Sequence, residues 1–155
     1  MDRYKDELRL KREGDTRLIW DPIRRKWLVL QPEEMVRQLL LQYLLMERGY
    51  NRNRIRMEKG LQVNALDRRC DLLVFDTQVH PFLLAECKAP HVKIGQEVFE
   101  QIAWYNTTIQ VPYLLVTNGI DSYCCKMDYE ARSCEFLREV PAHDAGELFL
   151  DHIDI

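Results

Sequence analysis

Three ionisable residues, Asp71, Glu86 and Lys88, stand at the ends of two apolar segments in the middle of the 155-residue sequence. The first segment spans 69–76 and the second spans 81–88, and the polar break between them is typical of the turn in a β-hairpin. Two carboxylates beside a lysine are residue types that bind a divalent cation and stabilise charge on an anionic substrate. Whether they meet depends on how the two strands pair.

A four-residue loop over 77–80 would place Asp71 opposite Glu86 and Arg69 opposite Lys88. All four side chains would share one face, because side chains alternate along a strand. Like charges directly opposed in a strand pair are destabilising, so the carboxylates need a cation between them. Mg²⁺ suits two carboxylates, a backbone carbonyl and waters, and Lys88 would orient a water there and stabilise a phosphate oxygen. A register slip of one residue would separate the pair.

The alternative for these residues is a surface charge cluster, in which Arg69 and Lys88 neutralise Asp71 and Glu86 without a bound ion. A Glu-x-Lys sequence occurs often by chance, so the sequence motif alone does not decide between the two. The charged residues end two apolar strands in a register that lets them meet, and this placement favours the cation site.

A second polar feature lies on the helix predicted over 94–109. Gln101 and Tyr105 are four residues apart and are therefore neighbours on one helix face. They share a stripe with apolar residues such as Ile94 and Ile102, so we expect Gln101 on the inward side of the helix. An inward Gln needs a partner, either a strand-end backbone group or a ligand. Packing at the edge of the core is the alternative explanation.

Five short motifs follow one another over residues 20–120. They are Pro32-Glu33-Glu34-Met35-Val36-Arg37-Gln38, Arg69-Cys70-Asp71, Ala85-Glu86-Cys87-Lys88-Ala89-Pro90, Gln101-x-x-x-Tyr105-Asn106 and Thr117-Asn118-Gly119. In this order they resemble the PD-(D/E)XK nuclease superfamily, most closely the N-terminal nuclease domain of type I restriction enzyme R subunits. Cys70 stands where the nominal family motif has Pro.

The resemblance implies an α/β fold with a restriction-endonuclease-like αβββαβ core, in which a mixed central sheet is flanked by helices. It also implies a Mg²⁺-dependent deoxyribonuclease, with Mn²⁺ as a substitute, that acts as an endonuclease and leaves a 5′-phosphate and a 3′-hydroxyl. The implied roles are Asp71 and Glu86 as metal ligands, the Cys87 carbonyl as a further ligand, Lys88 as the catalytic lysine, Gln101 and Tyr105 as supporting residues, and Glu34 or Glu58 as an auxiliary acid.

The translocating ATPase of the R subunit has no counterpart here, since the sequence contains no G-x-x-x-x-G-K-[ST] motif. We therefore expect no ATP site in this chain. Any ATP-driven activity is expected to belong to another chain or to be absent. A helicase/ATPase or a specificity subunit is an expected partner.

The elements that must position these residues are readable from the surrounding sequence. Two short strand patterns, 17–20 and 26–30, predict an N-terminal hairpin. Pro32, followed by two glutamates, predicts a helix start, and Arg48-Gly49 its end. Further strands are predicted over 54–63 and 111–119, with a final hairpin after them. We expect a flexible N-terminal tail over 1–16 and one domain over 17–155.

The charge is uneven along the chain. The net charge is -3, yet residues 1–69 carry about +6 and the rest about -9 by count of ionisable residues. The basic half predicts a DNA-facing surface beside the carboxylates, with ordinary solvated charges as the alternative. The residues expected to border the site are Arg24, Arg25, Lys26, Arg52, Arg54, Arg56, Arg68 and Arg69, with Arg54, Arg56, Arg68 and Arg69 as the nucleic-acid-binding set.

Composition narrows the class of protein. With 46% hydrophobic and 30% charged residues, a disordered chain is excluded. No apolar run approaches the roughly 20 residues of a membrane span, and the charged N-terminus is unlike a signal peptide, so we expect no membrane association. Five cysteines without an export signal predict reduced, structural thiols in a cytoplasmic protein.

Two functions remain open from the sequence. The first is a metal-dependent DNA nuclease without its own ATPase. The second is a non-catalytic module of the same fold that binds nucleic acid or a protein partner, an alternative suggested by the acidic balance and the lack of a target-recognition domain.

The helix after Pro32 is apolar at nine of the twelve positions from 35 to 46. Leu39, Leu40 and Leu41 point in directions about 100° apart, which exceeds the arc one sheet covers. The excess is expected to be covered by the N-terminal hairpin, by a second copy in a homodimer, or by a partner.

Overall fold

Two α-helices and nine strands form the part of the chain that the computed structural model describes. That part is residues 1–63 and 66–142, with side chains except those of 2, 59–63, 66–69 and 104–108. The strands are β1 (Leu10–Glu13), β2 (Thr16–Asp21), β3 (Lys26–Val29), β4 (Ile55–Val63), β5 (Leu66–Phe75), β6 (Pro81–Cys87), β7 (Tyr113–Thr117), β8 (Ser122–Asp128) and β9 (Ser133–Leu137). The helices are α1 (Pro32–Met46) and α2 (Gln96–Ile109), with 3₁₀ turns at Asp2–Glu7 and Arg52–Arg54. Neither helix has the length and apolar character needed to cross a bilayer.

The larger sheet has the strand order β4-β5-β6-β7-β8-β9. Its neighbours pair antiparallel except β6 and β7, which are parallel. The helix α2 connects these two strands, as a parallel pair requires a crossover. The order α1, β4, β5, β6, α2, β7 is the αβββαβ core expected from the sequence, and the mixed sheet is confirmed.

Each face of this sheet carries its own core. Leu72, Val74 and Leu83 pack with α1 residues such as Leu40 and Leu44. On the other face, α2 packs its predicted apolar stripe, and the cluster contains Ile94, Val98, Ile102, Ile109, Leu73, Leu84, Leu114 and Val116. The central strands β5, β6 and β7 are therefore covered on both sides, which explains their nearly continuous apolar sequences.

The helix α1 is buried within the single chain. Leu39, Leu40, Leu41 and Leu44 are at most 3% exposed. The N-terminal 3₁₀ turn adds Tyr4, whose ring lies 6.2 Å from that of Tyr43. Besides the expected hairpin over 17–30, the N-terminal 3₁₀ turn therefore contributes to the cover of α1. These leucines are buried within the single chain, and no second copy is needed to bury them.

The N-terminal sixteen residues correct an expectation. A flexible tail was expected over 1–16, but β1 pairs with β2 in a three-stranded sheet of order β1-β2-β3. Arg3 and Tyr4 both bond the carboxylate of Glu47 at the end of α1. The polar pattern of 1–16 hid this structure because β1 is an edge strand, whose side chains are mostly exposed.

The hairpin of β5 and β6 has the predicted register but a different turn. Leu72 pairs with Ala85 and Leu73 with Leu84, so continuation of the ladder sets Asp71 opposite Glu86. Five residues, 76–80, separate the end of β5 from the start of β6, so the predicted four-residue loop is wrong. Within this loop the Asp76 N–H donates to the His80 carbonyl. A β-bulge between Val74 and Phe75 and their partners restores the register.

The Thr117-Asn118-Gly119 motif closes the turn between β7 and β8. Asn118, 3% exposed, accepts the N–H groups of Ile120 and Asp121 at its Oδ1 and donates from Nδ2 to the Val92 carbonyl. Gly119 has φ +86, and an added Cβ would lie 3.3 Å from Val36. The motif thus joins β7 to the segment that follows Lys88 and to α1.

We predict that Asn118→Ala lowers the free energy of unfolding by roughly 2–3 kcal/mol, because it leaves two N–H donors and a carbonyl without their partner. Urea denaturation followed by circular dichroism measures the change. Asn53→Ala, at an exposed asparagine, is the matched control and is expected to stay within about 0.5 kcal/mol. Equal stability of the two variants would contradict the assigned role of Asn118.

Candidate active site

Asp71 occupies a gap in the sheet. The β4–β5 pairing passes from Met57–Leu72 to Lys59–Cys70 and omits Asp71, and Glu58 opposite it has φ +47. On the other side, the β5–β6 ladder ends at the pair before Asp71. The carboxylate Oδ2 of Asp71 instead accepts the Cys87 N–H at 2.6 Å. A side chain thus takes a hydrogen bond that strand pairing would otherwise make.

The backbone of Cys87 faces the same gap. The neighbouring Lys88 N–H donates to the Thr117 carbonyl of β7, so the Cys87 N–H points to the β5 side. In a strand the N–H and C=O of one residue point to the same side, which directs the Cys87 carbonyl toward Asp71 as well. The Cys87 thiol is buried in the core that the sheet forms with α1, and this burial raises the pKa of the thiol well above its usual value. This agrees with a structural thiol.

Glu86 and Lys88 lie next to this gap at the end of β6. The Lys88 Nζ donates to Glu86 Oε1 at 2.9 Å. Burial and the negative charge of Asp71 raise the pKa of Glu86 above its usual value, and the Lys88 contact only partly offsets them. Burial lowers the pKa of Lys88, but the hydrogen bond and charge of Glu86 outweigh it and the net pKa is raised. Lys88 is therefore an ammonium group at neutral pH.

Arg37 is the functional neighbour that the sequence analysis did not identify. It is 5% exposed, and its Nη2 donates to Asp71 Oδ1 at 2.7 Å. Its Nη1 pairs with Glu34 and lies 3.5 Å from Glu58. Burial lowers the pKa of Arg37, but the charges of Asp71 and Glu34 outweigh it and raise the pKa further. The signal available in the sequence was a single charged residue among positions 35–46, nine of which are apolar.

A second arginine, Arg24, completes a buried charge network. Its guanidinium pairs with Asp21, Glu34 and Glu58. Asp21 is fully buried and also accepts the amide of Gln38 at 2.9 Å. The network links the small N-terminal sheet to α1 and, through Arg37, to Asp71. Arg24 was predicted to face DNA, but these carboxylates neutralise its charge.

The two candidates for an auxiliary acid both lie in this network. Glu34 pairs with Arg24 and Arg37, and Glu58 contacts the same two arginines. Both carboxylates therefore contact Arg37, whose guanidinium also binds Asp71. Glu33, in contrast, has a half-exposed side chain, and its charge raises the pKa of both Glu86 and Lys88. Glu33 is therefore the acid in the first turn of α1 whose charge acts on both Glu86 and Lys88.

Some of the other predicted residues have side chains that the structure describes, and others do not. Gln101 is exposed on α2, so its expected inward position is wrong, because Ile102 takes the centre of the buried stripe at 1% exposure. Tyr105 lies on the same helix, but its side chain is outside the described set, as are those of Arg68 and Arg69 on β5. Arg56 is exposed and donates to the carbonyls of Asn53 and Ile55, and Arg54 is half-buried.

The donor set is compatible with Mg²⁺. Burial and, after it, the charge of Asp71 raise the pKa of Glu86, so a cation here would favour its ionised form. A carboxylate oxygen also has lone pairs beyond the one it shares with a donor. Mg²⁺ commonly uses one or two carboxylates and keeps several waters. Asp71, Glu86 and the Cys87 carbonyl would hold it. Among the described residues, no group of three or more His, Cys, Asp or Glu side chains is placed to hold a metal, so this site would offer two carboxylates and a backbone carbonyl.

Comparison with known proteins places the chain in a family. Residues 32–141 match the family model described as the type I restriction enzyme R protein N terminus (HSDR_N). Among solved structures, the chain is similar to a fragment of an HsdR subunit of a type I restriction enzyme from Vibrio vulnificus YJ016, with TM-score 0.55 and 20% identity over 74% of this chain. The chain spans 24% of that relative, and at this identity the likeness shows the restriction-endonuclease-like fold. No curated protein matches. Because the family model covers most of the chain, the protein belongs to the family of type I restriction enzyme R protein N-termini.

Proposed function

We propose that the chain is a Mg²⁺-dependent DNA endonuclease whose active site is Asp71, Glu86 and Lys88. The observation that carries the proposal is the register of β5 and β6, which sets the two carboxylates opposite each other, with the Lys88 ammonium 2.9 Å from Glu86. Membership of the R protein N-terminus family supports DNA as the substrate. Because the family is named after the R protein of a type I restriction enzyme, we expect other subunits of such an enzyme as partners.

In this mechanism the residues of the chain divide the work. Asp71 and Glu86 provide the oxygen ligands, with Arg37 and the Cys87 N–H fixing the orientation of Asp71. When bound, Mg²⁺ would supply positive charge beside the scissile phosphate. Lys88, protonated at neutral pH, acts as a donor: it orients the attacking water and stabilises charge that develops on the phosphate oxygens.

The same geometry also supports a second candidate, a non-catalytic module of this fold. Both oxygens of Asp71 already have donors, and Glu86 has Lys88, so the carboxylates are compensated by the chain's own groups. Such compensation would be sufficient for a domain that only binds DNA or a partner subunit. Metal binding separates the two candidates.

The first prediction is that Lys88→Ala abolishes cleavage of supercoiled plasmid in Mg²⁺ or Mn²⁺, with a loss of at least about 100-fold, because a charge-stabilising donor is removed from the transition state. Gel electrophoresis of the relaxed and linear products measures the rate. Lys93→Ala, at an exposed lysine in the following segment, is the matched control and is expected to cleave as wild type. Cleavage by Lys88→Ala at the wild-type rate would assign the activity to another site.

The second prediction concerns the metal. Wild-type chain is expected to bind Mn²⁺ in isothermal titration calorimetry, and Asp71→Asn is expected to lose this binding because one of two charged ligands is gone. Asp15→Asn, which removes a fully exposed carboxylate, serves as the control. A wild-type chain that takes up neither Mn²⁺ nor Mg²⁺ would favour the non-catalytic candidate.

The third prediction is a pH dependence. The pKa of Glu86 lies above its usual value, and the protonated carboxyl is a poor ligand. The affinity for Mn²⁺ is therefore expected to fall, by up to tenfold per pH unit, as the pH drops through this raised pKa, while an ordinary glutamate would still be ionised. Titrations from pH 8 to pH 5 measure it. Affinity that stays level down to the usual pKa of glutamate would contradict the raised value.

A further inference from the structure

A basic cleft lies beside the turn between β2 and β3. Two adjoining cavities of about 440 and 270 Å³ share Pro22, Arg25 and Arg52 as lining residues. The larger one adds Arg9 and Trp20, and the smaller one adds Arg56. We call this surface, defined by Arg9, Trp20, Arg25, Arg52 and Arg56, the arginine cleft.

The arginines of the cleft differ from the buried pair, Arg24 and Arg37. Arg9, Arg25, Arg52 and Arg56 are exposed, and none of them forms an ion pair with a described side chain. Glu7 is the single acid among the described residues that line the two cavities. Four positive charges and one negative charge therefore converge on this surface, in a chain whose net charge is -3. Such a local positive field attracts a polyanion.

The cleft is also rigid. Asp21 Oδ1 accepts the N–H groups of Ile23 and Arg24 at 2.8 Å, which fixes the turn. Arg25 follows with φ +53, a conformation that a non-glycine residue keeps only when its surroundings impose it. Across the cleft, the Nη2 of Arg52 donates to the Pro22 carbonyl at 3.2 Å. Because the Arg52 guanidinium and the turn that carries Arg25 are held in place, less entropy would be lost when a ligand binds to them.

The aromatic wall points to an unpaired strand. Trp20 lines the larger cavity, with its indole 5.5 Å from that of Trp27 and the Arg9 guanidinium 5.2 Å from its centroid. Proteins that hold single strands combine a positive groove for the phosphates with aromatic rings for the bases. Inside a duplex the faces of the bases are covered by their stacked neighbours, so Trp20 could not stack on them.

We propose that the arginine cleft binds an unpaired DNA strand, with its phosphates on Arg9, Arg25, Arg52 and Arg56 and a base against Trp20. The choice of DNA rests on the proposed function. The turn between β2 and β3 contributes to both the candidate active site and the arginine cleft. Arg24 points into the network that holds Asp71, while the adjacent Arg25 lines the cleft. The substrate of the proposed nuclease is then DNA with a single-stranded segment beside the cut.

The test measures binding of the full chain to fluorescein-labelled oligo(dT) of twelve nucleotides and to a twelve-base-pair duplex, by anisotropy in EDTA. Wild type is expected to prefer oligo(dT). The double variant Arg25→Gln/Arg52→Gln is expected to bind it at least tenfold more weakly. Four phosphate contacts predict a slope of log affinity against log salt of about -2.8, which falls to about -1.4 in the double variant.

The matched control is Arg17→Gln, an exposed arginine on the same small sheet. Arg17 alternates with Trp20 along β2 and so lies on the opposite face, and its variant is expected to bind as wild type. Trp20→Phe is expected to weaken oligo(dT) binding while leaving the salt slope unchanged. Circular dichroism confirms that each variant is folded.

Two results would overturn the cleft: equal oligo(dT) binding by wild type and the double variant, or wild-type preference for the duplex. Because the assay contains no divalent metal, its result does not depend on cleavage. Oligo(dT) binding that needs Arg25 and Arg52 in a chain that never cuts plasmid would remove the proposed nuclease and leave the cleft standing. Plasmid cutting with binding insensitive to these arginines would do the reverse.

Discussion

The buried contact between Arg37 and Asp71 is the interaction on which the rest of the structure depends. Removing one partner of a buried ion pair typically costs about 3–5 kcal/mol, and here Arg37 also compensates Glu34, which Arg24 shares. The network therefore connects three elements from different parts of the sequence: the small N-terminal sheet, α1 and β5. The candidate active site is built on this junction, so its geometry is fixed by the same charges that hold the two sheets together.

The sequence predicted those features that depend on local patterns. Two apolar segments around a polar break predicted β5 and β6, and an assumed four-residue loop gave their register. The loop is one residue longer than assumed, and the bulge compensates for the difference. Pro32 and its two glutamates predicted the start of α1, and the apolar stripe from Ile94 to Ile109 predicted α2. The pairing of Asp71 with Glu86 followed from that register. The family resemblance, which the match over residues 32–141 confirms, added the connection between motifs that are far apart along the chain.

What the sequence could not give depends on contacts between distant segments. Arg37 and Arg24 look like ordinary basic residues until the fold places them beside carboxylates 34 residues away. Gln101 was placed inward because a helical wheel does not show which of two adjacent residues the sheet covers. The residues 1–16 were expected to be a tail because an edge strand has no buried face to signal it. The metal roles of Asp71, Glu86 and the Cys87 carbonyl stay predictions.

The bulge in the β5–β6 hairpin has a consequence for how the family can vary. Because Val74 pairs with Leu83 and Phe75 with Pro81, Phe82 is the extra residue, and it packs in the same core as Leu83. It lies next to the turn, roughly 13 Å of strand from Glu86 at about 3.3 Å per residue. Insertions within the exposed turn at 77–79 change neither strand. Deleting the extra residue at 82 would remove the bulge and leave Leu83 opposite Val74. Deleting one residue at 84–85, beyond the bulge, would instead shift Glu86 to the other face and separate it from Asp71. Among relatives, the chain length should therefore vary in the turn and up to the bulge, whereas it should not vary in β6 beyond the bulge.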